Sequence, residues 1–448
     1  MNEKKDGFGS KLGAIAATAG SAIGLGNIYR FPYLAGENGG GAFLLIYVAI
    51  VLCLGIPIMM AEFYIGRRGG KDPVGSIKEL SPKTHWNLIG YMGILAAFVI
   101  LSFYSTVSGW TLEYIYKAAT NFFANKTPEM IEQGFVDFNN NPFRPFLWQF
   151  LFMGLTAFVV FKGIKDGVEK YTKILMPALF VILIILCIKS LTLEKANEGL
   201  EFLFKPDFSK VNASVLLAAM GQAFFSLSLG MGALITYGSY ISKKDNLTTT
   251  SLSVVVADTF VAILAGIIIF PAVFSFSSKI KISGDPGLAF NTLPMIFNDM
   301  HGGYFFCIIF FVLLAIAALT TTISLLEVIV TFITENYGIK RNTATLIGTL
   351  ISLFFGVFCT LSLRQDSILN FNGLTFFNFM DIFSANFLLP IGALLIAIFV
   401  AWKMGKDSFY DEITNHNTLK ISVKNFIYFI IKFVAPIVIL VIFINQLI

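Results

Sequence analysis

Thr18-Ala-Gly-Ser-Ala-Ile-Gly-Leu-Gly-Asn27 sits inside an apolar run, and its counterpart further along the chain is Phe225-Ser-Leu-Ser-Leu-Gly-Met-Gly-Ala233. Each places a Gly-x-Gly where a membrane helix would be midway: Gly24-Leu25-Gly26 and Gly230-Met231-Gly232. Glycine is the costliest ordinary residue in a helix interior and the easiest to unwind. One such motif reads as a small-residue packing seam. Two of them, flanked by Ser21, Asn27, Ser226 and Ser228 and lying in the first and sixth apolar runs, match an inverted repeat built around two broken helices.

The rest of the chain supplies the solvent those helices need. Of 448 residues, 56% are hydrophobic and 15% aromatic, with 48 Phe, and only 13% are charged against roughly 25% in soluble domains. Mean hydropathy is +0.77. That composition excludes a water-soluble enzyme, a disordered chain and a secreted disulfide scaffold. Long unbroken apolar runs also argue against a barrel. The expected spans are 13–35, 41–66, 88–118, 146–162, 168–188, 213–239, 250–276, 302–334, 343–361, 378–402 and 426–447. The fold class is therefore all-α and polytopic, with about eleven transmembrane helices around a five-plus-five core whose helices 1 and 6 are broken. The expected division is 1–188 for the first repeat, 189–402 for the second, and 403–448 for a cytoplasmic loop and the last helix. The polar stretches 119–145 and 189–211 are expected to be loops.

Lys and Arg concentrate on alternate connections: Lys4, Lys5 and Lys11 at the start, then Arg67, Arg68, Lys71, Lys78 and Lys83, and later Lys243, Lys244, Lys340 and Arg341. This bias predicts a cytoplasmic N-terminus and explains the net charge of +5 without nucleic acid. The four cysteines, Cys53, Cys187, Cys307 and Cys359, lie in apolar runs and read as small hydrophobes with no disulfide.

A broken helix in lipid exposes N–H groups able to hold a carboxylate and carbonyls able to hold a small hard cation. Suitable oxygens flank the breaks: Asp258 in the seventh span and Thr320, Thr321 and Thr322 in the eighth. A lone membrane Thr usually bonds back to its own helix, and three in a row beside two breaks shift that balance. The intramembrane charges Arg30, Glu62, Asp258, Glu327 and Asp381 are functional candidates by their cost. Glu62 and Glu327 serve equally well as members of a buried network.

Residues 10–41, Ser-Lys-Leu-Gly…Gly-Leu-Gly-Asn-Ile-Tyr-Arg-Phe-Pro-Tyr…Glu-Asn-Gly-Gly-Gly, closely resemble the first-span signature of the neurotransmitter:sodium symporter family. Phe225-Ser-Leu-Ser-Leu-Gly and Ala318-Leu-Thr-Thr-Thr-Ile-Ser-Leu-Leu-Glu327 extend the resemblance in family order. The twelfth span of many members is missing here. The resemblance implies a sodium-coupled importer of an amino acid that works by alternating access in the plasma membrane.

Carried over by position, it implies a first sodium held by the Ala22 carbonyl, Asn27, Ser226 and Asp258, and a second held by the carbonyls of Gly20, Ile23 and Ala317 with the hydroxyls of Thr320 and Thr321. The substrate carboxylate would meet the N–H groups near Leu25 and Gly26 and the Tyr104 hydroxyl, and its ammonium the carbonyls of Ala22 and Phe225. Arg30 with Asp381 would form an outer gate, and Lys5 with Glu335 an inner one.

Gly24 stands where monoamine-carrying members have an acid, so a free carboxylate suits the pocket better than a bare amine. Ile100, Phe103, Met231, Ser324 and Leu325 would line it, with Ser228 able to meet a polar tip. That lining suits a hydrophobic or aromatic amino acid, with tyrosine, tryptophan and branched aliphatics all left open. Asp258 stands where the family commonly has a neutral Asn, and Ala262 where some chloride-independent members have a Glu. The carboxylate of Asp258 then supplies the counter-charge, and no chloride is required. The expected partners are the amino acid and the bilayer, with no nucleic acid, and the oligomeric state is left open, a monomer included. A proton-driven carrier of the same fold remains the main alternative. A channel would need a continuous polar path. An intramembrane enzyme is disfavoured because His85, His301 and His416 all fall in loops.

Overall fold

The computed structural model describes residues 7–276, 288–371 and 373–447. Among the described residues, nine helices are long and apolar enough to cross a membrane, from Gly41–Gly69 through Lys424–Ile444. A tenth crossing is the bent pair Lys11–Ala22 and Gly26–Glu37, whose halves meet at 52°. The sixth expected span is likewise two pieces, Ala213–Ser226 and Ala233–Gly238.

The first break follows from its hydrogen bonds. Ile23 has left helical geometry, with φ −76° and ψ 101°. The N–H of Gly24, which would close a helical turn onto the Gly20 carbonyl, goes to Asn27 Oδ1 at 3.1 Å. The N–H of Leu25 goes to the Tyr104 hydroxyl at 2.8 Å. In the sixth span, Ser228, Gly230 and Gly232 take φ of +55°, +78° and +74°, which no helix accepts. At Gly230 any side chain would strike the Leu389 carbonyl at 2.5 Å, so glycine is required there by space as well as by φ.

Around these breaks the helices His85–Ala119 and Gly303–Tyr337 run side by side as the central pair. Both bury long stretches, including Tyr104, Thr320, Thr321 and Glu327. Outward positions such as Phe150, Phe158, Ile188 and Phe354 are exposed and apolar, as a lipid-facing surface requires. The structure corrects the two expected loops. Residues 119–145 contain the helix Pro128–Asn140, and 189–211 contain Ala196–Phe204. Both are short amphipathic helices lying on the ends of the bundle; Ile131 and Phe138, seven residues apart on one face, are buried. A search for membrane-length apolar runs overlooks such segments. The connection before Phe376 also pairs Phe371 with Leu374 in a two-stranded hairpin.

Candidate functional site

The two breaks face each other across a small cavity of about 10 Å³ lined by Ser21, Ala22, Gly24, Gly26, Ile100, Tyr104, Phe225, Ser226, Ser228, Met231, Thr321 and Leu325. An amino acid enters only if these walls part. Of the side chains expected around a substrate, Phe103 and Ser324 stand behind this wall. Phe103 packs edge-on against Phe377, with ring centroids 5.6 Å apart. Ser324 shares a 2.7 Å hydrogen bond with Tyr237 and donates to the Thr320 carbonyl. Leu25 contributes its N–H rather than its side chain. Glycine at 24 is dictated by crowding: a Cβ there would lie 2.5 Å from Thr321 Oγ1 and 2.8 Å from the Tyr104 hydroxyl. Gly26 lies under the Phe225 ring, with a Cβ there 3.1 Å from Cδ1.

Beside the cavity, three polar side chains converge on one buried carboxylate, Asp258. Asn27 Nδ2 donates to Asp258 Oδ1 at 2.7 Å and to Ser226 Oγ at 2.9 Å. Ser226 Oγ lies 2.9 Å from both carboxylate oxygens. The Tyr47 hydroxyl donates to Asp258 Oδ2 at 3.2 Å. Sequence reasoning did not single out Tyr47, which sits in an unremarkable apolar run; only the fold carries it to Asp258. Gln222 was missed for the same reason, and its Nε2 donates to the Gly26 carbonyl at 2.8 Å.

The second set of oxygens gathers at the end of the half-helix Lys11–Ala22. The Gly20 carbonyl has lost its usual partner, Gly24 N–H, to Asn27. Gly20 packs against Thr320, a Cβ there falling 3.2 Å from Thr320 Cβ. Thr320 Oγ1 and Thr321 Oγ1 donate to the Ala317 carbonyl at 3.0 and 3.2 Å. That bonding spends their protons and leaves their oxygens as acceptors. The donors in both clusters are carbonyl, hydroxyl, amide and carboxylate oxygens, a set suited to a small hard cation. Among the described residues no group of three or more His, Cys, Asp or Glu side chains gathers as a metal site.

The expected gates fare differently. Arg30 and Asp381 do not come within the 4.0 Å of an ion pair. Arg30 instead lies over the Phe225 ring at 4.5 Å, and its Nη1 is buried with no hydrogen-bond partner among the described residues. A sequence cannot reveal that the ring capping the cavity intervenes. Lys5 lies outside the described residues. Its expected partner Glu335 accepts the N–H of Asp72 at 2.6 Å on the wall of a cleft of about 1200 Å³. Burial there pushes the Asp72 carboxyl up to about 6. Of the two ambiguous acids, Glu327 is a network member, gripped by Arg341 and Tyr240, whereas Glu62 accepts only the Gly230 N–H at 2.7 Å on Oε1, and its Oε2 is buried with no hydrogen-bond partner among the described residues.

Comparison with known proteins agrees with this geometry. A profile described as the sodium:neurotransmitter symporter family matches residues 5–140 and 118–448. An uncharacterized sodium-dependent transporter of Bacillus subtilis, YhdH, is 38% identical over 99% of this chain and 98% of its own length. One from Methanocaldococcus jannaschii is 33% identical over 94% of this chain and 86% of its own length. The crystal structure of MhsT in complex with L-phenylalanine superposes with a TM-score of 0.91 at 43% identity, covering 99% of this chain and 100% of that one.

Proposed function

The chain belongs to the sodium:neurotransmitter symporter family, and from that premise we propose that it imports a hydrophobic or aromatic amino acid across the plasma membrane, driven by two co-transported sodium ions. The carrying observation is the convergence of two oxygen clusters on two helix breaks that flank one cavity. One ion would be held by the Ala22 carbonyl, Asn27, Ser226 and Asp258. The other would be held by Thr320, Thr321 and the carbonyls of Gly20, Ile23 and Ala317. The half-helix beginning at Gly26 presents its positive end to a carboxylate, with Leu25 N–H and the Tyr104 hydroxyl already aimed at each other there. Ile100, Met231 and Leu325 offer the substrate's side chain an apolar wall. The likeness to MhsT, solved with L-phenylalanine, favours an aromatic guest.

The Lys- and Arg-rich connections favour an N-terminus in the cytoplasm. Asp258 supplies the fixed negative charge beside the first ion, so the cycle needs no chloride. A carrier fits better than an enzyme or a channel, because the oxygen clusters gather beside one small cavity rather than lining a continuous path. The test is uptake of labelled phenylalanine, tryptophan, tyrosine and leucine into proteoliposomes. Uptake should collapse when potassium replaces sodium. Equal uptake in both salts with an imposed acid gradient would establish the proton-driven alternative instead.

A further inference from the structure

The two half-helices on the N-terminal side of the cavity are secured in different ways. Ala233–Gly238 is fused to the second span by backbone contact: a Cβ on Gly66 would lie 1.9 Å from the Ile235 carbonyl, and one on Gly238 would lie 3.0 Å from the Phe63 carbonyl. The connection that follows is tied down by Arg67, which donates to the Asp245 carbonyl at 2.7 Å. Lys11–Ala22 supplies Ser21 and Ala22 to the cavity; its free end is held by Phe8, whose N–H donates to the Tyr240 carbonyl at 3.2 Å and whose ring meets Tyr237 and Tyr240 edge-on, and by one carboxylate. Glu169 accepts the Gly9 N–H at 2.6 Å on Oε2 and the Ser10 hydroxyl at 2.9 Å on Oε1. Ser10 Oγ in turn accepts the Gly13 N–H at 3.0 Å and caps the half-helix. Lys173 holds the same carboxylate from within its own helix. Gly13 has no side chain because Glu169 occupies that space, with a Cβ there only 2.1 Å from Oε1.

We propose that Glu169 is the latch that keeps the half-helix Lys11–Ala22 against the bundle, and so a positioning residue for the transport cycle. This inference rests on the importer reading given above. The two carboxylate oxygens match two donors, Gly9 N–H and Ser10 O–H. When the half-helix swings away, both donors leave together, while Lys173 stays beside the carboxylate and limits the cost of release. The half-helix of the sixth span has no comparable single point of release and moves with the second span. Glutamine at 169 offers one acceptor oxygen and a competing NH₂, so it loses at least one of the two bonds.

The experiment is hydrogen exchange of the full chain in nanodiscs with sodium, comparing the wild type with Glu169→Gln, Ser10→Ala and the double variant. Glu169→Gln should raise exchange across 9–22 by roughly tenfold, the loss of one charge-assisted bond. Ser10→Ala, a milder change, should raise it less. The double variant should exceed Glu169→Gln little, since both disrupt the same contact. Exchange across 233–238 should stay unchanged, and the apparent sodium affinity of Glu169→Gln should fall. Unaltered exchange at 9–22, or an equal rise at 233–238, would overturn the latch. Absence of sodium-driven uptake by the wild type would overturn the importer reading and leave the exchange result to judge the latch by itself.

Discussion

Placing a methyl group on Gly24 tests the whole site with three atoms of hydrogen and one of carbon. In Gly24→Ala the new Cβ would lie 2.5 Å from Thr321 Oγ1 and 2.8 Å from the Tyr104 hydroxyl. Both are far inside the 3.5–4.0 Å of a favourable contact. Neither neighbour gives way freely. Tyr104 is fully buried and takes the Leu25 N–H; Thr321 is bonded to its own helix. Overpacking of this kind costs about 1–3 kcal/mol, which is about 5- to 150-fold in an equilibrium constant. Because the displaced atoms are the hydroxyl proposed for the substrate carboxylate and the one proposed for the second sodium, the loss should appear in both apparent affinities. The assay is binding of labelled substrate to purified protein over a sodium titration, with the thermal midpoint measured alongside. A change of less than twofold in both affinities at an unchanged midpoint would refute the placement of these two hydroxyls at the site.

Asp258→Asn should abolish uptake in chloride-free medium, because the buried negative charge that Asn27, Ser226 and Tyr47 surround is gone; wild-type uptake that fails without chloride would contradict the charge-compensation argument. Thr321→Val keeps the shape and deletes one oxygen, so sodium affinity should fall roughly tenfold while the fold persists; an unchanged sodium dependence reduces Thr321 to packing. Met231 is 3% exposed in the cavity wall, and Met231→Phe should disfavour aromatic substrates over small aliphatic ones by about 1–3 kcal/mol; uniform loss for all substrates points to folding or gating instead. Asp72 titrates at about 6 rather than 3.8 because it is buried, so the folded chain binds its proton more readily than the unfolded chain does. Its contribution to stability therefore improves as pH falls through about 6 and levels off near 4. The thermal midpoint of Asp72→Asn relative to the wild type should rise between about pH 4 and pH 7, and a constant difference would refute the assignment.

The solvent, the membrane-length helices and the two breaks were legible from the residues alone. Hydrophobic length is a local property, and so is the reluctance of Gly24-Leu25-Gly26 and Gly230-Met231-Gly232 to continue a helix. The oxygen-bearing residues that cluster, Asn27, Ser226, Asp258, Thr320 and Thr321, were also legible, because polar atoms in an apolar run need partners. The short helices Pro128–Asn140 and Ala196–Phe204 were not, since an amphipathic surface helix carries no membrane-length signal. Which residues meet across distant spans depended on the folded arrangement. Tyr47 reaches Asp258 over 211 positions, and Glu169 reaches Gly9 over 160. Phe103 and Ser324 point along the expected helices yet stop behind the cavity wall, and Arg30 turns to Phe225 rather than to Asp381. Those outcomes depend on rotation and depth of each helix in the bundle. Those are set by packing contacts between spans, and hydropathy along one chain does not encode them.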